Sequence, residues 1–273
     1  MKYLFYVLVA GTLFSACNNN NVTENKSLGK FFEQQGVTGS FGLFDNGKGT
    51  FTVFNLSRFR DSAYLPASTF KIVNGLIGLE TGRITDEKMV IKWDGVTRAV
   101  DNWNQDLTME QAFRYSAVPW YQELARRIGK DTMQHFLDTL GYAGSAGKAV
   151  IKDNLDTFWL DNSIKITADE QLGLVKKLYF NQLPFQPRSQ KILQKIMVQE
   201  DNSNYILAYK TGWGTAENGH AIAWVVGWVE ENRHPYFFAL NIEDPNPDAD
   251  IPAKRMTILK GILKELGFLE GKM

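Results

Sequence analysis

The chain contains a single cysteine in 273 residues, so it can form no internal disulfide and no cysteine-rich zinc site. Its three histidines, His135, His220 and His234, are widely separated and lack metal-ligand spacing, so they read as surface or hydrogen-bonded core residues and no metal is expected. Lys plus Arg and Asp plus Glu number 30 each, which leaves no basic surplus for a phosphate backbone, and nucleic acid is not an expected partner. No apolar run reaches the length of a membrane-spanning helix. Internal repeats, long charge blocks and Pro/Gly/Ser-rich linkers after residue 30 are also missing, so a second independent domain is not expected. What the sequence does have is 44% hydrophobic and 13% aromatic residues, enough for one full core.

The N-terminus reads as a processing signal. Lys2 precedes an uncharged run from Tyr3 to Phe14, shorter than the roughly 20 residues of a membrane span but suited to a signal-peptide core. Ser15 and Ala16 are small, and Cys17 follows directly. This resembles a bacterial lipobox, except that Phe14 stands where Leu is usual. Residues 1–16 are therefore expected to be a signal peptide, with Cys17 the lipid-bearing end of a periplasmic, membrane-anchored protein. Cleavage without a lipid is the alternative. Asn18 to Asn21 open what reads as a solvated tether over residues 17–30.

Beyond the tether, residues 31–273 read as one α+β domain. Ser40 to Phe44 and Thr50 to Phe54 are apolar-rich runs flanking Asp45-Asn46-Gly47-Lys48-Gly49, where Asn-Gly suits a hairpin. Tyr205 to Lys210, Ala221 to Val229 and Tyr236 to Ile242 repeat the strand signal, and Met256 to Leu266 has helical periodicity closed by Gly267. From Pro66 to about Val198 the apolar spacing is three and four, as in Ile72, Val73, Leu76, Ile77 and Leu79. The expectation is a central antiparallel sheet built from both chain ends, flanked by helices, with an all-helical lobe over about 66–200. Trp224 and Trp228 fall on one strand face and read as core. Glu243, Asp244, Asp248 and Asp250, near two prolines, read as a solvated loop.

Three short strings bear on chemistry. Pro66-Ala67-Ser68-Thr69-Phe70-Lys71 opens a helix and puts Ser68 and Lys71 on one face. A first-turn serine is commonly only a cap, but a lysine stripped of its charge by burial can serve as the base that a hydroxyl nucleophile needs. Thr108 and Gln111 have capping-box spacing, and Pro119 disfavours helix at Val118, so Ser116 is expected on a break between helices, where a turn serine is the plainer reading. Lys210-Thr211-Gly212-Trp213 ends a strand and offers an ammonium, a hydroxyl and unhindered backbone N–H groups for an anionic substrate and an oxyanion.

Together and in this order, Ser-x-x-Lys, Ser-x-Val and Lys-Thr-Gly resemble the active-site triplet of the penicillin-recognising serine acyltransferases. Trp103 to Asp106 (WNQD), Arg114 to Val118 (RYSAV), Phe158 to Leu160 (FWL) and Val226 to Glu230 (VGWVE) narrow the resemblance to class D, oxacillinase-type β-lactamases, from about residue 31 to the end. The resemblance implies hydrolysis of a β-lactam amide through an acyl-enzyme on Ser68. It implies no cofactor other than CO2, held as a carbamate (N6-carboxylysine) on Lys71 that acts as general base and is held by the Trp159 indole. Ser116 relays a proton to the leaving nitrogen. Backbone N–H groups of Ser68 and Trp213 form the oxyanion hole, while Lys210, Thr211 and Arg255 hold the substrate carboxylate, with Val118 and Gly212 also at the binding surface. One departure stands out: Tyr142-Ala143-Gly144 replaces the usual Tyr-Gly-Asn, so that segment is assigned no catalytic role. A β-lactam sensor or penicillin-binding protein that stays acylated is the competing reading. Sensors carry multi-span membrane segments and a polar residue where Val118 stands. Substrate spectrum and oligomeric state are not legible.

Overall fold

The computed structural model describes residues 21–271. The expected signal peptide and Cys17 lie outside them. Among the described residues a seven-stranded sheet runs β1 (Val22–Glu24), β3 (Thr50–Phe54), β2 (Thr38–Asp45), β7 (His234–Asp244), β6 (Ala221–Glu231), β5 (Ile206–Thr215), β4 (Val198–Asp201). Every neighbouring pair is antiparallel except β1 with β3. The sheet is thus assembled from both ends of the chain, with β2 against β7 as the seam.

Strand β6 carries the two-sided burial of a central strand. Ile222, Trp224, Val226 and Trp228 face one core, and Ala221, Ala223, Val225 and Val229 face the other. The outer face is covered by α1 (Gly29–Gln34) and α9 (Ile251–Glu265), through Phe32, Ile258, Leu259 and Ile262. The inner face meets α7 (Ala168–Tyr179) and runs without interruption into the core of the helical lobe. That lobe holds α3 (Lys71–Glu80), α4 (Met109–Arg114), α5 (Val118–Ile128), α6 (Lys130–Leu140) and α8 (Pro187–Met197). A further helix, α2 (Leu56–Asp61), follows β3. The expected α+β architecture is present and one core ties lobe to sheet, but the lobe is not all-helical, since Val90–Ile91 pairs antiparallel with Leu107–Thr108 inside it.

Several local expectations are corrected. The tether does not extend to residue 30, because Val22–Glu24 pairs with Phe51–Val53 and Leu28 is fully buried. The polar composition of 17–30 hid an edge strand whose ladder is backbone only. The β2–β3 hairpin takes its left-handed residue at Gly49 (φ +66) rather than at Asn46-Gly47, since the Asp45 carboxylate accepts from the N–H groups of Gly47 and Lys48 and winds the turn on to Gly49. Val118 begins α5 despite preceding proline, because Ser116 (φ +54) and extended Ala117 absorb the break. The acidic segment is not simply solvated. Glu243 pairs with Arg58, Asp244 is buried against Lys254, and Asp250 caps α9, which leaves only Asp248 exposed and unassigned.

Candidate active site

The turn bearing Ser68 is held from three elements. Pro66 leads into a single 3-10 turn, Ala67–Phe70, that feeds α3, a tighter start than the α-helix expected from Pro66. Ala67 sits at φ +48, a conformation that costs a residue with a side chain on the order of 1–3 kcal/mol and persists only where surroundings enforce it. The Ala67 N–H donates to the Trp159 carbonyl at 3.0 Å. The Trp224 indole N–H donates to the Leu65 carbonyl at 2.9 Å. Gln171 on α7 donates to Thr69 Oγ1 at 2.7 Å, and that hydroxyl donates to the Pro66 carbonyl at 2.7 Å.

Ser68 is hydrogen-bonded to Lys71 Nζ at 2.6 Å. Lys71 is fully buried, and burial alone pulls its ammonium down to about 7, so near neutrality much of it is free amine. The Tyr121 ring lies 5.5 Å from Nζ. Phe70, between the two residues, stacks on Trp159 with centroids 5.3 Å apart. The Trp159 indole N–H is buried and makes no hydrogen bond among the described residues. An amine that is neutral when desolvated and a dry N–H donor without an acceptor are what an anionic adduct on Lys71 requires, so these residues fit the carbamate that the resemblance implies.

Ser116 lies on the break between α4 and α5, as expected, and accepts a 3.0 Å hydrogen bond from Lys210. Burial first, and then the positive fields of Lys71 and Arg255, depress the Lys210 ammonium well below its ordinary value. Lys210 to Thr215 lie beyond the reach of β4, which pairs only with Ile206 to Ala208, and the outer edge of β5 passes the nucleophile turn instead. Gly212 makes that approach possible, since a Cβ there would lie 2.9 Å from the Pro66 carbonyl oxygen. Arg255 donates to the Gly212 carbonyl at 2.8 Å, and burial lowers its guanidinium to about 10. The neighbouring Lys254 is taken up by Asp244 at 2.6 Å, so Arg255 is the cation that reaches the site.

Ser68, Ser116, Val118, Thr211, Gly212, Trp213 and Arg255 line one cleft of about 310 Å³. Lys71 and Lys210 are buried behind its two serines, and Trp159 lies behind Phe70. Val100, Trp103 and Tyr115 complete the lining. Val100 was not singled out from sequence, for nothing in its spacing marks it, and Tyr115 stood in the RYSAV motif without a role of its own. Gln171 was also missed, although a buried glutamine on the stripe of Ala168, Leu172 and Val175 is a legible signal. Tyr142-Ala143-Gly144 follows α6 as a loop, with Ala143 buried in a left-handed conformation.

A serine hydroxyl facing a desolvated lysine on the first turn of a helix, beside a Lys-Thr-Gly strand edge, defines a serine acyltransferase. The penicillin binding protein transpeptidase domain matches residues 32–264. Within that class the chain belongs to the class D β-lactamase family. It is 42% identical to β-lactamase OXA-48 of Klebsiella pneumoniae over 89% of this chain and 88% of that one. It is 39% identical to β-lactamase OXA-5 of Pseudomonas aeruginosa over 96% of both. The crystal structure of the class D β-lactamase YbXI from Nostoc superposes with a TM-score of 0.83 at 40% identity, covering 90% of this chain and all (100%) of that one. The class D β-lactamase of Fusobacterium nucleatum gives a TM-score of 0.84 at 34% identity, covering 91% and 100%.

Proposed function

We propose that this protein hydrolyses the amide of penicillin-type β-lactams through an acyl-enzyme on Ser68 and thereby confers antibiotic resistance. The observation that carries the reading is the 2.6 Å contact between Ser68 and a fully buried Lys71 brought near neutrality by desolvation. A carbamate formed on Lys71 by CO2 supplies an anionic oxygen as general base for both half-reactions, with the unpartnered Trp159 N–H as the group that would hold it. Ser68 Oγ loses its proton toward the Lys71 side and attacks the lactam carbonyl. Backbone N–H groups of Ser68 and Trp213 receive the oxyanion. Ser116, bonded to Lys210, passes its proton to the departing lactam nitrogen as the C–N bond breaks and is reprotonated by the proton taken from Ser68, which frees the base for the second half-reaction. Lys210, Thr211 and Arg255 hold the substrate carboxylate. Water then cleaves the ester and returns the proton to Ser68.

Steady-state hydrolysis of a penicillin, together with intact-mass spectrometry of wild type and Ser68→Ala, tests this. Turnover with an adduct on wild type but none on Ser68→Ala supports it. A stable adduct without turnover makes the protein a sensor or penicillin-binding protein. We also propose export and a lipid on Cys17, for which palmitate-analogue labelling is the check. An unlabelled product free of membranes would show that the leader is simply cleaved.

A further inference from the structure

A second cavity, of about 230 Å³, lies behind the wall that carries Ser116. Successive residues of that wall face opposite sides: Ser116 and Val118 line the catalytic cleft, Ala117 and Pro119 line the second cavity, and Trp103 borders both. The wall is firmly seated: Ser116 holds φ +54 without being glycine, and Ala117 is fully buried with its N–H donating to the Ala112 carbonyl at 2.8 Å, so a displacement on one side is carried to the other. A ligand in the cavity therefore bears on the segment that positions Ser116.

The lining shows what such a ligand is. Trp93, Trp103 and Trp120 contribute three indoles, and each N–H is already spent on a backbone carbonyl, those of Val96, Tyr115 and Leu107, at 3.0 Å. What they leave for a ligand is hydrocarbon ring surface. Of the polar lining, Lys92 is paired with Asp106 and Asp94 with Arg98, while Arg126 and Arg127 share one carboxylate: Glu123 accepts from Arg126 Nε at 3.2 Å and from Arg127 Nε at 2.8 Å. Arg126 has a second carboxylate, Asp156, whereas Arg127 among the described residues has only the shared one and meets it through Nε, so its outer fork is presented for another acceptor.

We propose that this cavity is a regulatory site for a planar aromatic carboxylate. The ring packs against the indoles, the carboxylate takes the Arg127 fork, and occupation alters catalysis by moving the wall between residues 115 and 119. Only the kinetic arm of the test rests on the hydrolytic function proposed above.

The probe is 2-naphthoate, titrated by calorimetry into the whole protein and then added to steady-state assays with a chromogenic cephalosporin. Binding is expected to weaken about tenfold or more in Arg127→Ala, as befits a lost hydrogen bond to a charged group, and to tighten in Glu123→Gln, which removes the competing carboxylate. The opposite signs separate recognition from damage to the fold. In the assay, kcat should change with KM nearly constant. No binding at millimolar naphthoate overturns the site. So does binding that competes with substrate and is lost in Arg255→Ala but not in Arg127→Ala, since that places the probe in the catalytic cleft. Calorimetry reads the site without turnover, so an inactive protein that binds naphthoate through Arg127 refutes the hydrolytic reading and keeps the site.

Discussion

Lys210 donates to Ser116 Oγ at 3.0 Å, a second lysine–serine pair beside the one between Lys71 and Ser68, with its lysine buried and its serine half-buried at the cleft. The two ammonium groups oppose each other electrostatically, and the charge on Lys71 is one of the causes that depress Lys210. Neutralising Lys71 therefore favours the charged form of Lys210, the form that would hold a substrate carboxylate in the mechanism we propose. In that mechanism, activating the base and readying the anion site are one electrostatic event.

The pH profile should follow Lys71. Its amine is held near 7, below its ordinary 10.5, so the reactive free base prevails above that value and protonation removes it below. Activity is expected to fall about tenfold per unit of pH below 7 and to rise with added bicarbonate near pH 7.5. Carbon NMR with labelled bicarbonate should show a carbamate on the wild type and none on Lys71→Ala. A rate indifferent to bicarbonate, with no label bound, would mean that Lys71 works as a free amine.

Trp159→Phe retains a ring to stack on Phe70 and deletes the unpartnered N–H. Loss of one hydrogen bond to a charged group predicts deacylation slower by roughly 10- to 100-fold with acylation less affected. Burst kinetics and acyl-enzyme mass distinguish the two half-reactions, and bicarbonate should restore part of the loss. Equal slowing of both steps would assign the indole a packing role only.

Gly212→Ala places a methyl 2.9 Å from the Pro66 carbonyl oxygen and 3.2 Å from Thr69 Cγ2. The edge of β5 must then draw back from the nucleophile turn. The expected cost is about 1–3 kcal/mol of stability with kcat down at least tenfold, read from thermal melts and steady-state kinetics. A full-rate variant would show that the cleft does not depend on this close approach.

The five inner strands were legible because they are apolar-rich runs, as in β6, whereas the short edge strands β1 and β4 were not, and the capping box of Thr108 and Gln111 announced α4 with both of its bonds formed. The cleft was legible through its motifs, which place Ser68, Ser116 and Lys210 in register with one another. Illegible were features set by partners distant in sequence. Nothing in the sequence sets Arg255 apart from its neighbour Lys254; what does so is Asp244, which pairs with the lysine. Ala67 gives no hint of φ +48, because what enforces it is the Trp159 carbonyl more than ninety residues on.

The seam between β2 and β7 has a kinetic consequence. Thr38 to Asp45 pair with Tyr236 to Glu243, so the middle of the sheet joins segments separated by nearly the whole domain. A ribosome that has delivered the helical lobe has given β2 only its hairpin partner β3, and the other edge of β2 finds β7 only when synthesis is almost finished. Such non-local pairing bears its loop-closure entropy before any contact rewards it. The nascent chain thus stays open until late, and the cleft, whose floor is strand β5, is among the last features to form.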